Sequence, residues 1–284
     1  MKAYLNGNFV DESEAKVSVF DHGFLYGDGV FEGIRAYNRK VFKLREHMER
    51  LYESAKAIDL QIPISMDEFQ KKVIELCRLN NLNDAYLRPI ASRGVGDLGL
   101  DPKKCGKPTV LIVEKEMKPL LGEGDMKLIT VFWRRNAPDA LSPNIKSLNY
   151  LNNILGKLEA NRHGANDCIF LDREGYVSEG TGENLFMVKK GVIVTPPTLT
   201  NLKGITRNVI AEIARSKGYE VREDRVSLFD VYNADEVFLC GTAAEIAPVS
   251  SIDGRTIGLG KTGKITSEIK EAYMQKVRSE GEPF

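Results

Sequence analysis

Val30-Phe31-Glu32-Gly33-Ile34-Arg35-Ala36-Tyr37-Asn38-Arg39-Lys40-Val41-Phe42 is followed by Leu44, Met48, Leu51, Ala55 and Ile58, spaced by four and three. The first run is rich in β-branched and aromatic residues and predicts a strand interrupted by a turn near Asn38-Arg39. The second is the apolar stripe of a helix. Upstream, Tyr4-Leu5-Asn6-Gly7-Asn8-Phe9-Val10 sets Asn-Gly between apolar flanks, a hairpin signal. Downstream, Ser65 and Glu68 have capping-box spacing and open a helix through Phe69, Val73 and Leu76. Strands are expected over Ala85–Arg93 and Pro108–Val113. Lys115–Asp125, with Pro119, Gly122 and Gly124, reads as a linker. Beyond it come a strand (Leu128–Trp133), a helix from about Leu148 to His163 stopped by Gly164, and strands within 168–195. A helix from Gly204 to Gly218, a strand (Asp235–Ala244) and a last helix (262–279) complete the chain. Strands and helices do not alternate strictly, so the expected class is α+β. The expected domains are 1–117, a linker over 118–127, and a larger domain over 128–284.

The chain has 284 residues, 40 Lys+Arg against 40 Asp+Glu, and 42% hydrophobic residues. That composition argues against disorder, and the zero net charge against nucleic acid as partner. No stretch approaches the roughly 20 apolar residues of a membrane span. Met1–Gly7 has no apolar h-region, so a cytoplasmic protein is expected. Cys77, Cys105, Cys168 and Cys240 are scattered, as are His22, His47 and His163, and no metal site is expected.

Four segments hold chemistry-bearing residues. Gly204-Ile205-Thr206 opens a helix whose first N–H groups and dipole suit an anion, although Thr206 also reads as an ordinary early helix residue. Gly241-Thr242-Ala243-Ala244 follows an apolar strand, and its small residues admit a ligand to the backbone or simply end the strand. Tyr176–Phe186 sets Glu179, Gly180, Thr181, Gly182 and Glu183 between strand-like flanks; a solvated turn is its plain reading. In Ala85-Tyr86-Leu87-Arg88-Pro89-Ile90 a period of two puts Tyr86 and Arg88 on one face, a pairing able to bind a carboxylate or to lie on the surface.

Together these segments resemble the class IV (fold type IV) aminotransferases that use pyridoxal 5'-phosphate (PLP). The likeness rests on Tyr26–Arg35, Glu46–Leu51, Ser178–Phe186, Leu202–Arg207 and Gly241–Ile246, which stand in family order along nearly the whole chain. Val30-Phe31-Glu32-Gly33-Ile34-Arg35 is most similar to branched-chain amino acid aminotransferases. The resemblance implies two α+β domains with the cofactor in the cleft between them, and a homodimer or larger homo-oligomer. It places Lys146 at the position of the cofactor-bearing catalytic lysine. Arg50 and Gly204-Ile205-Thr206 fall at the phosphate, with Gly241 and Thr242 helping. Glu179 falls beside the pyridine nitrogen, Tyr150 near the cofactor phenol oxygen, and Leu202 on the ring. Tyr26, Phe31, Tyr86 and Arg88 match the substrate pocket, and Thr242-Ala243 the carboxylate-binding turn.

The implied activity is transfer of the amino group of Leu, Ile or Val to 2-oxoglutarate. Lys146-Ser147-Leu148-Asn149 and Arg93 are similar to D-amino acid transaminases, the runner-up. An aminodeoxychorismate lyase of the same fold is a further alternative. In a regular strand Arg93 faces away from Arg88, so a structural role is expected for it. Leu120 stands where bacterial branched-chain enzymes place a substrate-side Tyr.

Overall fold

The computed structural model describes residues 1–117 and 124–284. Leu120 and residues 118–123 of the expected linker lie outside the described residues. The chain divides into two compact units. Unit 1 comprises residues 1–117, 145–149 and 277–284, and unit 2 comprises 118–144 and 150–276. Two short segments of the expected larger domain, 145–149 within it and 277–284 at its end, belong to unit 1.

Unit 1 contains β1 (Lys2–Leu5), β2 (Asn8–Asp11), α1 (His22–Tyr26), β3 (Gly29–Phe31), β4 (Ile34–Tyr37), β5 (Lys40–Val41), α2 (Leu44–Ala57), α3 (Met66–Asn80), β6 (Ala85–Ser92) and β7 (Thr109–Lys115). The β1–β2 hairpin turns at Asn6-Gly7, both with positive φ, as the sequence predicts. Ser65 accepts from the Glu68 N–H and starts α3. Ile34, Leu51, Phe69, Leu87 and Ile112 meet in one core, so α2 and α3 bury the stripes read from the sequence. Each such side chain contributes about 2–5 kcal/mol when truncated to Ala.

The strand expected over Val30–Phe42 turns at Asn38-Arg39, between β4 and β5, as expected, and is broken a second time. The second break is at Glu32-Gly33, where a Cβ on Gly33 would lie 2.1 Å from the Tyr86 hydroxyl oxygen. The Ile145–Asn149 segment belongs here because its backbone is paired with β3. Phe31 N–H donates to Lys146 O (2.9 Å), and Leu148 N–H to Gly29 O (2.9 Å).

Unit 2 contains β8 (Met126–Arg134), α4 (Pro138–Leu141), α5 (Leu151–Arg162), β9 (Asp167–Leu171), β10 (Val177–Glu179), β11 (Asn184–Lys189), β12 (Val192–Thr195), α6 (Ile205–Ser216), β13 (Val221–Glu223), α7 (Leu228–Tyr232), β14 (Glu236–Gly241), β15 (Glu245–Ile252) and β16 (Arg255–Thr256). The chain closes with α8 (Lys264–Ser279) and β17 (Glu282–Pro283), the latter pairing with β5 of unit 1. The sheet runs β10-β9-β8-β15-β14-β11-β12-β13 around a core of Leu128, Ile169, Leu185, Leu239, Val249 and Ile252. The helix expected from Leu148 begins at Leu151, because Leu148 is spent on β3. No helix among the described residues is long and apolar enough to cross a membrane.

Candidate active site

In unit 1 the paired backbones of β3 and the 145–149 segment set Lys146 beside Phe31. Lys146 Nζ lies 4.6 Å from the Phe31 ring centroid, and the Arg88 guanidinium carbon lies 4.6 Å from the same centroid. Arg88 Nη2 donates to the Tyr86 hydroxyl (2.7 Å), so the two residues share one face of β6, as their spacing predicts. Arg88 Nε is buried with no hydrogen-bond partner among the described residues. A buried donor in that condition suits an incoming acceptor. Ser54 Oγ accepts from Lys146 N–H (3.1 Å) and ties the lysine's backbone to α2.

Arg50, also on α2, is gripped side-on by Glu32. Arg50 Nε donates to Glu32 Oε1 (2.7 Å) and Nη2 to Oε2 (2.8 Å). His47 Nδ1 lies 2.7 Å from Glu32 Oε2. Burial opposes the charge on Glu32, but Arg50 and His47 outweigh it and hold its carboxyl far below the usual range. Burial pushes His47 down despite Glu32, with Arg50 and Lys146 adding to the push, so it is a neutral donor to the carboxylate. Glu32 and His47 were not among the expected site residues; their only sequence signal is their place in two of the family-like stretches.

Tyr26 is fixed by two contacts of its own. Its hydroxyl donates to Leu98 O (2.6 Å), and its ring packs edge-on against His22. Arg93 makes a two-pronged pair with Asp28 (2.8 and 3.0 Å) and donates to the Ile58 and Asp59 carbonyls just past α2. Those four bonds make it a brace.

In unit 2, β10 ends at Glu179, which is 3% exposed. Its Oε1 accepts from Arg135 Nε (2.6 Å), and its Oε2 from the Leu202 N–H (3.1 Å). Arg135 continues to Asn152 and Asn153 Oδ1 in the first turn of α5, beside Tyr150 at its N-cap. Nothing in the sequence singles out Arg135, which follows β8 and reaches Glu179 only through the sheet. The loop before α6 is pinned by Asn184, whose Nδ2 donates to Leu202 O (3.0 Å). A Cβ on Gly204 would lie 2.0 Å from Asn184 Oδ1, so only glycine fits there. Gly204 is the N-cap of α6 and no side chain caps it, leaving the start at Ile205 and buried Thr206 suited to an anion. Gly241 ends β14, and the Thr242–Ala244 turn follows; the position of a Gly241 Cβ is 3.2 Å from Gly182 O. Gly182 therefore lies against the β14 end, close to the Glu179 turn.

Each unit holds groups that suit a part of a phosphorylated pyridine aldehyde. Unit 1 offers an amine, an aromatic ring and fixed guanidinium groups. Unit 2 offers an uncapped helix start and a buried carboxylate neutralised by Arg135. Residues 29–252 match the family model described as amino-transferase class IV. A Methanocaldococcus jannaschii protein named "Putative branched-chain-amino-acid aminotransferase" is 56% identical over 96% of this chain and 95% of its own length. The Escherichia coli (strain K12) branched-chain-amino-acid aminotransferase is 42% identical over 95% and 91%. A crystal structure of the branched-chain aminotransferase from the thermophilic archaeon Thermoproteus uzoniensis with norvaline superposes with a TM-score of 0.94 at 40% identity, covering 99% of this chain and 96% of that one. The chain belongs to the class IV aminotransferases, with their fold type IV architecture.

Proposed function

We propose that this protein transfers the amino group of L-Leu, L-Ile and L-Val to 2-oxoglutarate, giving the branched 2-oxo acids and L-glutamate, with PLP as cofactor. The observation that carries this reading is the Phe31 ring with the Lys146 amine and the Arg88 guanidinium each 4.6 Å from its centroid. One ring offers apolar surface to a branched side chain, and next to it stands a fork for a second carboxylate. Both half-substrates are thereby served: leucine uses the apolar surface, and glutamate uses Arg88 as well.

Bound PLP supplies an electron sink for the α-carbon. Lys146 would hold the cofactor at rest and move the α-proton of the amino acid during turnover. Arg50, kept in place by Glu32, and the α6 start with Thr206 bind the phosphate, helped by Gly241 and Thr242. Glu179 would pair with the ring nitrogen and favour its protonated form, Tyr150 would take the phenol oxygen, and Leu202 would pack on the ring. Tyr26, Phe31 and Tyr86 line the substrate pocket, and Thr242-Ala243 bind the α-carboxylate. The exposed apolar side chains of Phe132, Leu151, Ile154 and Leu158 on β8 and α5 support a homo-oligomer. The protein works in the cytoplasm.

The deciding experiment is an amino-donor panel: L-Leu, L-Val, L-Ile and D-Ala each with 2-oxoglutarate, and L-Glu with 4-methyl-2-oxopentanoate. Turnover of the branched L-amino acids in both directions is expected. Preference for D-Ala, or release of pyruvate from aminodeoxychorismate without an acceptor, overturns the assignment.

A further inference from the structure

Two buried carboxyl groups outside the assigned site face each other behind the turn that follows Glu179. Asp167 begins β9 and is fully buried, and Glu183 closes the Gly180–Gly182 turn and is 4% exposed. Thr181 lies between them: its hydroxyl donates to Asp167 Oδ1 (2.7 Å) and lies 3.5 Å from Glu183 Oε2. Glu183 Oε2 also accepts from the Gly182 N–H (2.8 Å), and Glu183 O from the Gly180 N–H (2.7 Å). Asn153 Nδ2 donates to Thr181 O (2.6 Å), while Asn153 Oδ1 accepts from Arg135, the partner of Glu179. Hydrogen bonds thus run from the carboxyl pair through the turn and α5 to Glu179.

Asp167 Oδ2 is buried with no donor among the described residues. Two ionised carboxylates in contact have no donor to offer each other; one proton supplies it. We propose that Asp167 and Glu183 share a single proton and are positioning residues, locking the 179–183 turn and so the carboxylate of Glu179. The inference rests on the assignment of Glu179 to the ring nitrogen. Burial and the Asp167 charge push the Glu183 carboxyl well above the usual range, against weaker opposition from the Gly182 N–H and Lys157 of α5. The other ionisable groups around the pair are Cys168 of β9, which also senses Glu159, and Cys240 of β14, which also senses Arg207. Burial raises both thiols, so neither adds a negative charge at neutral pH.

The folded chain keeps a proton on Glu183 that the unfolded chain loses near pH 4.3, so this contribution is complete below that pH and declines as pH rises toward the folded value, about 4.3 being the free glutamate pKa. In full-length protein, with and without PLP, the Tm of the wild type is expected to fall relative to Glu183→Gln as pH rises above about 4.3. The gap changes by about 3 °C per pH unit until the folded pKa is passed. Asp167→Asn removes the same slope from the other side of the pair and serves if Glu183→Gln does not fold. Parallel Tm curves for wild type and both variants overturn the shared proton. For the positioning role, Glu183→Leu is expected to weaken PLP binding about tenfold, with Gln restoring it by offering a donor. Wild-type PLP affinity in Glu183→Leu overturns that role. Glu179→Gln is measured alongside. If it leaves PLP affinity and absorbance unchanged, the Glu179 assignment and the positioning role fall together, whereas the Tm slopes still report the proton.

Discussion

Glu32 in unit 1 and Glu183 in unit 2 are both buried glutamates beside a glycine, yet the molecule drives them in opposite directions. Glu32 meets Arg50 and His47 and stays charged; Glu183 meets Asp167 and holds a proton. A residue type and its local sequence do not set its charge. The partner brought by another element does: α2 for Glu32, β9 for Glu183. Unit 1 uses a carboxylate to aim a guanidinium, and unit 2 uses a protonated carboxyl to hold a turn.

The largest effect on this comparison comes from the lysine whose charge bears on His47. Lys146→Ala is expected to lower kcat by at least about 10⁴-fold, the upper range for a lost proton-transfer group. It also removes a charge that disfavours protonation of His47, so the His47 pKa rises, read by NMR titration of the imidazole. Retained turnover means another lysine carries the cofactor; an unmoved His47 breaks the electrostatic picture of unit 1.

Next is Glu32→Ala, which leaves Arg50 and His47 buried without their carboxylate. The expected loss is about 3–5 kcal/mol in chemical unfolding, with weaker PLP binding. Glu32→Gln sharpens the contrast in pH. Because the folded carboxyl of Glu32 lies below its unfolded value, its contribution is present above about pH 4.3 and lost as pH falls. Wild-type stability therefore drops toward acid more steeply than that of Glu32→Gln, opposite in sense to Glu183. Matching acid limbs contradict the charged state of Glu32.

Arg88→Leu follows, removing a charge-assisted fork worth about 1.5–3 kcal/mol, or roughly 10–100-fold. That loss is expected in kcat/KM for L-glutamate and not for L-leucine. Equal losses for both show that Arg88 binds the α-carboxylate or only supports β6. Arg93→Ala has the smallest catalytic effect: Tm falls as the bonds to Asp28, Ile58 and Asp59 go, while the L-over-D preference is unchanged. Inverted stereopreference makes Arg93 a substrate contact.

Where structure is written in local periodicity, the sequence was readable. The α2 stripe, the Asn6-Gly7 hairpin and the Ser65 cap depend on neighbours a few residues away, and each is where the pattern puts it. The break at Glu32-Gly33 was hidden because its cause, the Tyr86 hydroxyl, comes from β6. So was the extended path of Ile145–Asn149, which pairs with β3 although more than a hundred residues separate them. β15 carries no signal of its own because the Thr242–Ala244 turn is too short to separate two apolar runs by composition. The residues proposed for the site divide the same way. Tyr86 with Arg88 followed from strand period, and the α6 start from helix-end chemistry. Lys146 and Arg50 have no local mark among so many charged residues and come from family likeness, as does the choice of Glu179 within its glycine-containing turn. Arg135 and Asp167 had neither, since each acts only through a partner that the folded sheet brings to it.

The most direct test is reductive trapping: borohydride treatment of the PLP-loaded protein, then peptide mapping by mass spectrometry. A phosphopyridoxyl group on Lys146 is the predicted result. The same group on any other lysine, or on none, contradicts the assignment of Lys146 as the cofactor-bearing residue.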